Sequence, residues 1–294
     1  MKILITGFNG QLGRALVKGK PKSISLLLPP RSELNLLNES SCRNYIRENK
    51  PDWIINTAAY TEVDHAEDER SKAYAINTLS VNYFLEELQS YNGKLIQISS
   101  DYVFNGQVNY PLKPQDKKSP VNYYGLTKSK AEDLVLKNNQ KIIRTSWLYG
   151  PDRKNFFLTM LKMHCKNSDI SKPIKVVADQ FGCPTSTFSL SKACWEIIFL
   201  DTPNILHWSD LGSASWYDFA FQIGEISFNL GLIKSKSKVL PIKSNDFQSK
   251  ALRPNYSLLN CDETQAFISY KAKDWKIELR KVVEYMLKNN YKIY

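Results

Sequence analysis

Histidine is scarce in this chain and cysteine is badly spaced for coordination. The three histidines among 294 residues are isolated, and no two of Cys42, Cys165, Cys183, Cys194 and Cys261 share metal-type spacing. No metal is therefore assigned. An odd cysteine count fits a reduced, cytoplasmic protein better than a disulfide framework. No apolar run reaches membrane-spanning length, so no membrane association is expected. Residue 2 already begins an apolar strand, so no leader peptide is expected either. A dense basic tract is missing despite a net charge of +11. The lysines are scattered, which excludes a nucleic-acid footprint and reads as compositional bias. An anionic small substrate is compatible with it. Repeats and low-complexity segments are absent.

What is present is a soluble, globular composition, 43% hydrophobic and 23% charged, on a chain long enough for two modest domains. Lys2–Thr6 is a short apolar strand that runs into Gly7-Phe-Asn-Gly10-Gln-Leu-Gly13 and then an apolar helix. Strand, glycine-rich turn and helix form a dinucleotide-binding unit. Glycine is needed there for the tight turn, for close backbone approach to a pyrophosphate and for helix–sheet packing. The second strand, Ile24–Leu28, ends in Pro29-Pro30-Arg31. An acid that would bind the ribose hydroxyls is missing and an arginine is present, which leans toward a 2′-phosphate and hence NADPH. Trp53–Ala59 and Lys94–Ser100 read as further buried strands. The acidic run Asp64–Glu69 reads as the solvated start of a helix rather than a metal site. Gly106–Asn122 reads as a loop, with Ser119-Pro120 setting the start of the next helix.

That helix carries Tyr124-Gly-Leu-Thr-Lys128. A tyrosine and a lysine four residues apart share one helix face. The ammonium is placed to stabilise a phenolate and lower the tyrosine pKa, so that the phenol can protonate a carbonyl oxygen as hydride arrives. Ser100, at the carboxyl end of a central strand, faces the ligand crevice of a doubly wound sheet and can hydrogen-bond the same carbonyl. After Pro151 the strand–helix alternation becomes irregular. The predicted architecture is α/β: a Rossmann-type doubly wound parallel sheet with a smaller C-terminal α/β substrate domain. The dinucleotide-binding domain covers 1–150 plus about 186–203, and the substrate domain 151–185 plus 204–294. His207-Trp208 and Ser215–Phe219 begin a second helical region. Trp208, Trp216 and Trp275 are expected in the core.

These residues resemble the extended short-chain dehydrogenase/reductase superfamily and, within it, the dTDP-4-dehydrorhamnose reductase family. The likeness runs through Gly10–Gly13, Asn56–Asp64, Ser100–Phe104, Tyr124–Lys128, Arg144–Gly150, Asp179–Thr185, Ser215–Phe219 and Arg253-Pro254. It implies Tyr124 as proton donor, with Lys128 lowering its pKa and holding the nicotinamide ribose, and Ser100 polarising the ketone. It implies cofactor contacts from Gly7, Gly10, Gln11, Leu12, Gly13, Arg31, Asn35, Leu36, Ala58, Ala59 and Tyr60. Asp101 and Trp147 would contact a dTDP-sugar. Relatives often carry Asp at the positions of Pro30 and Asn35; both losses remove negative charge near the adenosine ribose and favour NADPH, with NADH also possible. The expected reaction is reduction of the 4-keto group of dTDP-4-dehydro-6-deoxy-L-mannose by a monomer or homodimer. Two alternatives stand beside it. One is a reductase or epimerase of another nucleotide-linked sugar; the other is a catalytically silent NADP-binding regulatory subunit.

Overall fold

The computed structural model describes residues 1–168 and 172–291. The chain opens with β1 (Lys2–Thr6), α1 (Gln11–Lys18), β2 (Ser25–Leu27), α2 (Glu39–Asn49) and β3 (Trp53–Asn56). There follow α3 (Val63–Ala66), α4 (Arg70–Tyr74), a π-helical turn over Ala75–Leu79, α5 (Ser80–Gln89), β4 (Lys94–Ser100), α6 (Tyr123–Lys137) and β5 (Lys141–Thr145). Next come β6 (Leu148–Tyr149), α7 (Phe156–Ser168), β7 (Ile174–Val177), β8 (Phe181–Gly182), β9 (Thr185–Ser186), α8 (Thr187–Ile197) and β10 (Ile205–His207). The chain closes with β11 (Ala214–Ser215), α9 (Trp216–Asn229), β12 (Val239–Ile242), α10 (Asp262–Phe267) and α11 (Trp275–Lys288).

Six strands form one parallel sheet in the order β10-β5-β4-β3-β1-β2. Its strands are continuous aliphatic runs because helices cover both faces. Ile3, Ile5, Ile55, Ile96 and Ile143 point to the side where α1 and α8 pack. Leu4, Ile54, Leu95 and Ile142 point to the side of α2, α5 and α6. A second core lies beyond the sheet, where Phe157, Leu161, Ile174, Phe219, Ile223 and Val282 pack without solvent exposure or nearly so. Strand order reverses between β1 and β3, β2 lying on one side of β1 and the later strands on the other, so the crevice beyond their carboxyl ends is the ligand position of such a sheet.

Two boundaries depart from the sequence reading. β10 contains His207, which that reading set at the start of a second helical region, yet it pairs with β5 as the sixth strand, Ile205 opposite Ile142. Three residues are too short to show a period, so only the sheet edge reveals the strand. α6 is not started by Ser119-Pro120. Asn122 caps it, its side chain accepting the Gly125 N–H at 2.8 Å. Among the described residues no helix is long and apolar enough to cross a membrane.

Candidate active site

The carboxyl ends of the central strands are tied together by side chains before any ligand is considered. Thr6 donates to Asn56 Oδ1, and Asn56 Nδ2 donates to Gln97 Oε1 at 2.6 Å. The polar row holds β1, β3 and β4 in register at the crevice. Asn77, in the π-helical turn, binds both the N–H and the carbonyl of Tyr60 and donates to Thr127 Oγ1 at 2.9 Å. The loop after β3 and the helix α6 are thereby positioned by one amide.

The glycine-rich turn fits a dinucleotide. Gly7 has φ +64°, and a Cβ there would stand 2.9 Å from the Ala58 backbone. A Cβ on Gly13 would stand 2.4 Å from Gly7 O and 2.5 Å from Phe8 Cα. The Gly10 N-cap contributes no side-chain hydrogen bond to α1, so the first-turn N–H groups stay available for an anion. Gln11 Oε1 is buried without a partner beside them. A cavity of about 280 Å³ runs along this turn to Pro30, Arg31, Asn35 and Leu36, with Ala58 and Ala59 on its wall. Its donors suit the adenosine end of a nucleotide.

A second cavity, about 590 Å³, begins at Gly7, Gly10, Gln11 and Leu12 and continues to Ser100, Asp101, Tyr124, Lys128 and Trp147. The sequence-expected reactive residues thus meet in one space. Ser100 Oγ donates to Asp101 Oδ1 at 2.8 Å and accepts from Tyr102 N at 3.2 Å. The Tyr124 phenol faces the same cavity as Ser100 and stands edge-on to Tyr102, ring centroids 5.9 Å apart. Gly125 permits this approach, because a Cβ there would lie 2.1 Å from Tyr102 O.

The electrostatics differ from the expectation that Lys128 lowers the phenol pKa. Burial, reinforced by the Asp101 carboxylate, pushes Tyr124 up to about 12, and the Ser100 hydrogen bond opposes the rise. Lys128 itself is pushed down to about 8 by burial, with Glu132 opposing. Its Nζ donates to Ile98 O at 2.6 Å, the backbone just before Ser100. Burial therefore favours the neutral phenol. Burial also lifts Asp101 to about 6, against the pull of Ser257 and Ser100.

Four other expectations change. Tyr60 lines neither cavity; its phenol turns outward to Glu69 Oε2 at 2.9 Å. Gly13 also lines neither, and its role is the close packing just described. The acidic run is more than a solvated helix start. Asp64 Oδ2 accepts from Arg253 Nη2 at 2.7 Å, and Glu67 Oε1 accepts from Tyr123 N at 2.7 Å. Among the tryptophans, Trp208 and Trp275 are core, but Trp216 is in the cavity wall. It stacks on Trp147, centroids 3.6 Å apart and planes 7° from parallel. Trp147 is held at φ +45°, and Gly182 leaves room for it, since a Cβ there would stand 2.8 Å from Trp147 Cε2. Sequence reading also missed Arg153 and Lys154 on the same wall; their only local signal was two cations in a loop.

A protein-family profile described as the RmlD substrate binding domain matches residues 1–288. The chain is 34% identical to the spore coat polysaccharide biosynthesis protein SpsK of Bacillus subtilis, over 96% of this chain and 97% of that protein. It is 35% identical to dTDP-4-dehydrorhamnose reductase of Aggregatibacter actinomycetemcomitans, over 97% and 99% of the two chains. The crystal structure of dTDP-4-dehydrorhamnose reductase from Bacillus anthracis in complex with NADP superposes with a TM-score of 0.86 at 33% identity, covering 97% of this chain and 99% of that one.

Proposed function

The chain belongs to the RmlD substrate binding domain family, and from that premise we propose that it is an NADPH-dependent dTDP-4-dehydrorhamnose reductase. It reduces the 4-keto group of dTDP-4-dehydro-6-deoxy-L-mannose to give dTDP-L-rhamnose. The observation that carries the reading is the convergence of Ser100, Tyr124 and Lys128 on one cavity with the glycine-rich turn at one end and Trp147 at the other. A silent dinucleotide-binding subunit has no chemical need for that trio.

Gly10, Gln11 and Leu12 would hold the cofactor's pyrophosphate, Ala58 and Ala59 its flank, and Arg31, Asn35 and Leu36 its adenosine end. Bound NADPH supplies the hydride. Tyr124 keeps its proton through the neutral range and gives it to the ketone oxygen, while Ser100 donates the second hydrogen bond to that oxygen. Without substrate the Ser100 proton rests on Asp101 Oδ1 at 2.8 Å; a bound ketone would take that proton's hydrogen bond in place of Asp101, since one hydroxyl has one proton to donate. Lys128, anchored on Ile98 O and lining the same cavity, would hold the nicotinamide ribose and supply positive charge near the reacting oxygen. Trp147 and Trp216 form the face on which the sugar nucleotide lies. In domain terms, residues 1–150 with about 186–203, to which the sheet adds β10, would bind the dinucleotide, and 151–185 with the remainder of 204–294 would close over the sugar.

The test is NADPH oxidation by the purified protein with the keto sugar generated in situ and NADH in parallel. Consumption with dTDP-L-rhamnose as product is the expected result. Tight NADPH binding without consumption would redirect the assignment to another nucleotide sugar. In the Tyr124→Phe variant, turnover is expected to fall at least about 100-fold, the scale of a lost general acid, with NADPH binding nearly intact. Normal turnover in that variant would end the proton-donor assignment.

A further inference from the structure

Just beyond Gly150 the chain returns to the glycine-rich turn. Arg153 Nε donates to Asn9 O at 2.8 Å across 144 residues of sequence. The loop that presents it is tightly held. Asn155, nearly buried, donates from Nδ2 to the carbonyls of Gly150 at 2.9 Å, Asp152 at 3.3 Å and Arg153 at 3.2 Å, and its Oδ1 accepts from Leu158 N at 2.9 Å. Asp152 is gripped from α1 by Lys18 at 3.1 Å and Arg14 at 3.5 Å. Arg153 itself sits at φ +65°, a conformation that L side chains rarely adopt. Backbone strain of this kind persists only where surrounding contacts over-determine it.

The guanidinium has five N–H donors in a fixed fork. One is used on Asn9, and the terminal amino groups have no protein partner among the described residues. Arg153 lines the same cavity as Gly10, Gln11 and Leu12, where the first turn of α1 leaves its N–H groups free of a side-chain cap. A planar cation fixed at such a turn is suited to bidentate phosphate contact.

We propose that Arg153 is a diphosphate-binding residue, which clamps the dinucleotide's diphosphate against the first turn of α1. The sugar nucleotide also carries a diphosphate; the anchor on Asn9, inside the glycine-rich turn, selects the cofactor's. The inference rests on the cofactor reading above but not on the identity of the sugar. It makes the loop after β6, which also carries Lys154 on the cavity wall, part of the cofactor site.

The experiment titrates NADPH into the wild type, Arg153→Gln and Arg153→Gly with no sugar present, following intrinsic tryptophan fluorescence at two salt concentrations. Glycine removes the side chain while suiting the positive φ, so it guards against a folding defect in the glutamine variant. Both variants are expected to bind NADPH about tenfold more weakly, the lower end of the range for one charged hydrogen-bonded contact, with a shallower salt dependence. Adenosine 2′-monophosphate, which lacks the diphosphate, is expected to bind all three alike. Equal NADPH affinity in the three proteins would overturn the proposal. So would a parallel loss for adenosine 2′-monophosphate, which would make Arg153 a contributor to the general field. Unchanged NADPH binding with a raised KM for the sugar nucleotide would also overturn it and move Arg153 to the substrate. Failure of the wild type to bind NADPH would overturn the cofactor reading itself, so the two failures are distinguishable.

Discussion

Asp101 gives up water for the Ser100 hydroxyl on Oδ1, while its Oδ2 is buried without a partner, and burial lifts its pKa from 3.8 to about 6. The folded protein therefore holds this proton more tightly than the unfolded chain between those values. Stability from this group is full below about pH 4, falls as pH rises through the window and is constant above about 6. The loss is on the order of 3 kcal/mol, because each tenfold change in proton affinity is worth about 1.4 kcal/mol. Asp101→Asn is accordingly expected to be more resistant to urea than the wild type at pH 7.5. The gap should shrink at pH 5, and a gap independent of pH would refute the account. The cost of that ionised carboxylate at neutral pH is consistent with its proposed duty toward Ser100 and the sugar. Natural sites commonly trade stability for such groups.

On α6, Tyr124, Lys128 and Glu132 recur every fourth residue on one face. Glu132 has no solvent exposure and accepts from Ser99 Oγ at 2.6 Å and from Arg144 Nε and Nη2 at 2.9 and 2.8 Å. It therefore ties the helix bearing Tyr124 and Lys128 to β4 at the residue beside Ser100, and to β5. Burial pushes Lys128 down, and the Glu132 charge resists it. The kcat/KM of the wild type is expected to fall as pH rises through about 8, the Lys128 value. Glu132→Gln should move that alkaline limb to lower pH. It should also destabilise the fold by about 3 kcal/mol, because Arg144 is left buried without its carboxylate. A loss of stability with the limb unmoved would reduce Glu132 to a structural brace.

Across the whole molecule, the sheet and the second core are joined at the cleft by ion pairs distant in sequence. Asp64, after β3, accepts from Arg253 and from the backbone of Lys250 and Ala251. Burial alone would raise Asp64, yet Arg253 and the Ala251 N–H hold it down to about 2. The stability it contributes is present above its unfolded value of 3.8 and is lost as pH falls through about 2. Tyr102, whose proximity helps raise the Arg253 pKa, stands edge-on to Tyr124. Arg253→Met is expected to cost about 2 kcal/mol at neutral pH, a charged hydrogen-bonded contact, in urea unfolding. It should also raise the KM of the sugar more than that of NADPH. Equal effects on both would place this pair outside the sugar side of the cleft.

The aliphatic runs of β1, β3, β4 and β5 determined a buried parallel sheet by themselves, because only strands covered on both faces are apolar at every position. The glycine spacing of the first turn and the Tyr124/Lys128 interval were equally legible, since each is a local geometric requirement within one turn or one helix. Tertiary structure alone decided that β10 joins the sheet, that Trp216, packed against the second core, also stacks on Trp147 in the cavity wall, and that Tyr60 faces Glu69. It also brought Arg153 to Asn9 and Arg253 to Asp64, pairs separated by 144 and 189 residues. The acid strength of Tyr124 belongs to this second group. Sequence spacing places a lysine beside it, but desolvation and Asp101 set its pKa. Burial is a property of the assembled fold that no local pattern encodes.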